Sequence, residues 1–214
     1  MKYKTRVWHP FDKGSYRCEW HRAYLWGIIR EFCRDLRRCH ERIWKGYCDF
    51  DLFSIDMWFT GIMPVMLREF KENQHGYPNA SELPADRLFE DDEEKEREAV
   101  KAWHAILDRM AFLLEEADEE TCRKTNPYEE EYEKACLEFD KKYGLMGEKL
   151  KTELDKKNER NGLGIRTYTM NDVPGNRPVV KHYMEEWAKI GQYRQDCKDE
   201  ALALFSKWFY SLWD

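Results

Sequence analysis

The chain has 214 residues, 42% hydrophobic, 36% charged and 15% aromatic, with only 7 Pro and 11 Gly, a composition that argues against a disordered chain and supplies the apolar groups for a buried core, expected as a single helical domain over 1–214. The net charge of −6 is unevenly spread: residues 1–48 hold 12 Lys+Arg against 5 Asp+Glu, a net of +7, which leaves −13 for the remainder. That balance excludes the dominant basic face of a protein that coats nucleic acid, while allowing a small anion to be held near the N-terminal helix.

The first residues, MKYKTRVWHPFDKG, carry no apolar signal region, and no stretch offers about 18 uninterrupted apolar residues, so a cytoplasmic protein without a membrane span is expected. Seven cysteines without a CxxC pair speak against a disulfide framework or a zinc ribbon and for buried thiols.

Helical periodicity runs through the chain. Between Tyr16 and Tyr47 the residues Leu25, Ile28, Ile29, Phe32, Leu36, Cys39 and Ile43 recur at three- and four-residue spacing, which predicts a first helix with one apolar stripe facing the core. Leu52, Ile55, Phe59, Ile62, Met63, Met66, Leu67 and Phe70 predict a second, kinked at Pro64 and ending near the turn HGYPN at 75–79. A third helix is expected from about Pro84–Asp86 to Glu120. Its acidic start suits the helix dipole, and its core face is Val100, Trp103, Leu107, Met110 and Leu114. Tyr132, Cys136, Phe139, Tyr143, Met146, Leu150 and Leu154 predict a fourth. Residues 158–178, rich in Gly, Asn and Pro, read as a long irregular loop with a short hairpin at Ile165–Met170. A last helix follows over about Val180–Trp213. The fold class is therefore all-α, a bundle of four to five long helices, with little or no sheet.

The stretch KGYCDFDLFSIDMWF sets three carboxylates among aromatic side chains. Asp51 reads as the N-cap of the second helix, with Phe50 and Ile55 as a hydrophobic staple, and Asp49 as an alternative cap or turn former. Asp56 falls inside the apolar stripe, as Arg194 does in the last helix, which suggests a buried Asp56/Arg194 pair or a polar pocket between helices. His40 and His104 stand at stripe edges, where a hydrogen-bonded core histidine is the plain reading and an acid–base role with Asp56 the sharper one. Cys18 and His21 have ligand spacing but no second pair, and the acidic run Glu90–Glu98 lacks a calcium-loop turn, so no metal or cofactor is implied.

Arg30, Arg34, Arg37, Arg38, Arg42 and Lys45 cluster on the first helix. They read as a solvated face paired with Glu31, Asp35 and Glu41 or with the acidic third helix, or as a phosphate-recognition surface with Tyr24, Trp44 or Tyr47 offering a stacking plane. No Walker loop, GxSxG, HExxH or GxGxxG is present.

The succession IWKGYCDFDLFSIDMWFTGIMPVML, ENQHGYP, WHAILDRMAFLLEE and ALALFSKWFYSLWD resembles a family of small helical proteins encoded by tailed bacteriophages and gut phages, with Glu119–Asn176 outside the recognisable part. The resemblance carries no activity. It implies an accessory protein in the cytoplasm of an infected bacterial host, and two functions are weighed. The first is binding of a small anionic, nucleotide-like ligand, as in a sponge for a host immune signal, with Arg34, Arg37, Arg38, His40, Trp44, Lys45, Tyr47, Asp56 and Arg194 as the ligand-binding set. The second is a non-enzymatic inhibitor or assembly factor that binds protein through an aromatic helical surface. Phe205, Trp208, Phe209, Tyr210, Leu212 and Trp213 place apolar groups nearly all round the last turns, which adds an expectation of homo-oligomers.

Overall fold

The computed structural model describes residues 23–78, 83 and 93–213, with side-chain environments from residue 29 onward. The protein is all-α, and among the described residues there is no strand. Seven α-helices are described: α1 (Ala23–Lys45), α2 (Asp49–Phe53), α3 (Ile55–Asn73), α4 (Glu93–Ala117), α5 (Glu129–Tyr143), α6 (Glu153–Arg160) and α7 (Arg177–Trp208). Contacts group the chain into two compact units, residues 1–122 with 196–214 and residues 123–195.

In the first unit α3 packs against α4. Three polar links fix the direction: Thr60 Oγ1 donates to Asp118 Oδ2 at 2.8 Å, Arg68 forks onto Glu115 at 2.6 and 2.7 Å, and Lys71 Nζ meets Asp108 Oδ1 at 2.6 Å. As the α3 number rises the α4 number falls, so the two helices are antiparallel. Between them lies a core of Leu67, Trp103, Leu107, Met110, Ala111, Leu113 and Leu114, which includes all of the expected α4 face except the half-buried Val100. Trp103, 1% exposed, packs its ring 5.3 Å from that of Trp208 and donates from Nε1 to Gln74 Oε1 at 2.8 Å. The HGYP turn is thereby tied to the core, and Tyr77 is buried there too. Helix α3 runs through Pro64, which is buried.

In the second unit Phe139, Met170 and Val180 form the core, with Tyr132, Ala135, Cys136, Tyr143, Leu150 and Val173 against it. Tyr132 stacks on Tyr183 at 3.9 Å, and Tyr183 Oη accepts from Trp187 Nε1 at 2.8 Å.

The structure corrects several expectations. The fourth stripe is not one helix: Gly144, at φ 78°, ends α5, a 3-10 turn spans Leu145–Leu150, and Met146 and Leu154 are exposed. A glycine reaches that left-handed conformation at little cost, which makes it a common helix stop. The irregular segment is as long as expected, but Ile165–Met170 is no hairpin. It lies along the 144–147 turn, with Tyr168 N donating to Met146 O at 3.0 Å, and continues into a 3-10 turn at Met170–Asp172. The last helix ends at Trp208, followed by a 3-10 turn over Phe209–Ser211. The described cysteines are all free thiols, of which Cys48 and Cys197 are buried. Cys18, His21, Tyr24, residues 84–92 and the start of the first helix before Ala23 fall outside the described residues or side chains.

Candidate functional site

The corner where α1 turns into α2 holds most of the residues singled out in the sequence. Helix α1 stops at Gly46, whose φ of 81° lets its N–H reach back to Arg42 O at 3.0 Å. Three residues later α2 begins, and Asp51 is not its N-cap. Cys48 occupies that position, and Asp51 sits three residues into the motif with its Oδ2 accepting from Cys48 N at 2.8 Å. Asp51 thus fills the acidic arm of a capping box.

The same carboxylate also receives an arginine. Arg42 Nε donates to Asp51 Oδ2 at 3.0 Å while Nη2 closes on Oδ1, a bidentate fork. Next to it Arg38 Nε donates to Asp49 Oδ1 at 3.0 Å, with its guanidinium 5.0 Å from the Phe50 ring centre and Nη1 4.0 Å from Asp35 Oδ1. Arg37 Nε donates to Glu41 Oε1 at 3.0 Å and approaches Asp49 at 3.8 Å, and Glu41 in turn accepts from Asp49 N at 3.3 Å. Lys45 stands 4.0 Å from Glu41, and Arg34 pairs with Glu31. Burial works to raise the Asp51 and Asp49 carboxyls, but the Arg42 fork with the Cys48 N–H, and the Arg38 and Arg37 guanidiniums, outweigh it and hold both below the ordinary carboxylate range. The Arg42 guanidinium is correspondingly raised, chiefly by its hydrogen bond to Asp51.

This is why aspartates stand in that aromatic stretch: two of the three complete an ion-pair clasp on α1. The sequence reading found the arginines and their helical partners but missed Asp49 and Asp51 as partners, because those pairs cross the turn at Gly46. The alternation of Asp49 and Asp51 beyond a glycine stop, opposite basic residues four apart on the preceding helix, was the available signal.

The clasp inverts the expected orientation of α1. Asp35, only 1% exposed, and Arg38, largely covered, face inward, Arg34, Arg37 and Lys45 stay exposed, and so do Ile29, Phe32, Leu36 and Ile43 of the supposed core stripe. Ile43 is 80% exposed and Trp44 76%, and Phe50, Leu52, Phe53 and Ile55 continue the apolar surface into α2 and α3, Phe53 at 87%. His40 is exposed, with its ring 6.0 Å from that of Trp44, and Tyr47 is exposed beside the turn.

Asp56 stands exposed in the first turn of α3, where a carboxylate suits the helix dipole, so it takes part in no buried Asp56/Arg194 pair. Arg194 is half-buried on α7 and belongs to the other unit. His104 is half-buried on α4. Among the described residues no group of three His, Cys, Asp or Glu is placed to hold a metal ion, and no helix is long and apolar enough to cross a membrane. Comparison with family models, with curated proteins and with solved structures found no match.

Proposed function

We propose that the protein is a non-enzymatic interaction module whose working surface is the apolar side of the α1–α2–α3 corner. The observation that carries this reading is the orientation of α1 at this corner: Arg38 and Arg42 are tied to Asp49 and Asp51 across the turn, and the large apolar side chains Ile43, Trp44, Phe50, Leu52, Phe53 and Ile55 are exposed. Large apolar side chains exposed together on a folded chain mark a candidate binding surface. Aromatic anchors such as Trp44, Phe50 and Phe53 are the residue types that dominate binding energy at protein interfaces. The phage resemblance adds a host or phage protein as the source of the partner.

A second reading, capture of a small nucleotide-like anion, draws support from one place. Arg37 is 65% exposed and stands on the side of α1 that also carries His40 and Trp44, a cation beside a ring surface. Binding there requires the anion to displace Glu41 and Asp49 from the guanidinium, which weakens it.

Capture experiments with the wild-type chain and an Ile43→Glu/Phe53→Glu variant, run beside thermal-shift measurements against linear and cyclic nucleotides, separate the two. The interaction reading expects a stoichiometric protein partner that the variant loses, and no nucleotide shift. A partner set unchanged by the variant, or a nucleotide shift abolished by Arg37→Ala, contradicts it.

A further inference from the structure

The second unit carries an exposed surface that the corner does not use. Three pieces of chain lie side by side there: the 145–150 turn, α6 and residues 161–169. Tyr168 N donates to Met146 O at 3.0 Å, Tyr168 Oη to Asp155 Oδ2 at 2.8 Å, and Leu163 N to Asn158 O at 2.9 Å. On these pieces Leu145, Met146, Leu154, Leu163 and Ile165 are 61–74% exposed. Met146 also holds a left-handed φ of 55°, a conformation in which Gly or Asn is the usual residue.

Charge says what fits this surface. Residues 141–177 hold 9 Lys+Arg against 5 Asp+Glu, a net of +4 in a chain whose total is −6. Four of those carboxylates are engaged locally: Glu153 with Lys156, Glu159 with Lys151, Asp155 with Thr152 and Tyr168, and Asp172 with Thr169. Lys142, Lys149, Lys157, Arg160 and Arg166 are exposed and form no ion pair with a described carboxylate. We propose that this surface docks on a lipid bilayer rich in anionic headgroups, its aliphatic side chains entering the interface and its free cations meeting the lipid phosphates. Such docking is interfacial and needs no spanning helix. Nucleic acid calls for open rings on which bases stack, whereas the Tyr168 ring is half-buried, tied to Asp155 and faced by the Arg166 guanidinium at 5.0 Å. Protein interfaces are rich in aromatic anchors and poor in lysine, the reverse of this surface. A second copy seated on the same patch sets positive charge against positive charge.

The test is co-sedimentation of the full-length chain with vesicles of phosphatidylcholine alone and of equimolar phosphatidylcholine and phosphatidylglycerol. The chain is expected to sediment with the anionic vesicles only, and less so as salt rises. Lys157→Ala/Arg166→Ala is expected to weaken that binding by about 30-fold, the effect of two charges near a lipid surface. Leu163→Ser/Ile165→Ser is expected to weaken it by about 10-fold or more. All four side chains are exposed, so circular dichroism should match wild type in both variants. Binding that Leu163→Ser/Ile165→Ser leaves intact marks a merely cationic surface, open equally to nucleic acid, and overturns the proposal. Absence of the chain from the anionic vesicle pellet, equal binding to phosphatidylcholine alone, or indifference to Lys157→Ala/Arg166→Ala overturns it as well. Capture of a protein partner at the corner is read separately, so the two readings can fail independently.

Discussion

Asp51 shows how much one side chain can organise. It accepts from the Cys48 amide and from both arms of Arg42 while buried, so removing it leaves a guanidinium and a backbone donor without their charge partner. Asp51→Ala is expected to cost about 1.5–3 kcal/mol in chemical denaturation, the range for hydrogen bonds to charged groups. The pH sign follows from its lowered pKa. The contribution is complete above the ordinary carboxylate value of about 4 and declines as acid protonates the folded state. Asp155 gives a sharper case in the other unit, since hydrogen bonds from the Thr152 hydroxyl, the Thr152 amide and Tyr168 Oη bring it down to about 2. Stability from Asp155 is therefore full above about pH 4 and fades as pH falls toward 2. Asp155→Asn should flatten that part of the acid titration, read by circular dichroism between those limits, and an unchanged acid slope would remove this carboxylate from the account.

The turn that follows α5 leaves little room for change. Gly147, at φ 66°, sits against the 161–169 segment so closely that an added Cβ would stand 2.6 Å from Tyr168 Cβ and 3.0 Å from its carbonyl oxygen. Gly147→Ala is expected to destabilise by more than the ~1 kcal/mol that left-handed strain alone brings, because the loop must also lift away. Hydrogen exchange should then show faster exchange at Tyr168 N, which bonds Met146 O, and protection equal to wild type would contradict the packing. Between α3 and α4, Trp103→Ala is expected to cost about 3–5 kcal/mol, as for other fully buried tryptophans. The part-buried Arg68–Glu115 fork in the same interface should show a coupling of about 1 kcal/mol in a double-mutant cycle. Measured by urea melts, the two values rank the apolar core above the ion pairs as the source of the α3–α4 contact; the reverse ranking would contradict it.

At the scale of the whole chain, the helices were legible from period and the surface was not. Spacing located α3, α4 and α7 and nearly all of the α4 core, because a buried stripe and its sequence period are the same fact. It also located the stripe on α1, but period says that a face is apolar and not what covers it. The inward turn of Asp35, Arg38 and Arg42 is decided by Asp49 and Asp51 beyond the Gly46 stop, a non-local pairing with no periodic trace. Asp56 was misread for the same reason: one position in the stripe of α3 falls in its exposed first turn. The sequence reading thus named the basic residues of α1 at this corner but not Asp49 and Asp51, the carboxylates that orient them. The central claim is that orientation, with Asp35, Arg38 and Arg42 turned inward and Trp44 and Phe53 exposed, and hydroxyl-radical footprinting of the chain under monomeric conditions tests it most directly. The account predicts heavy oxidation of Trp44 and Phe53 beside near-complete protection of Trp103; protection of Trp44 and Phe53 equal to that of Trp103 would contradict it.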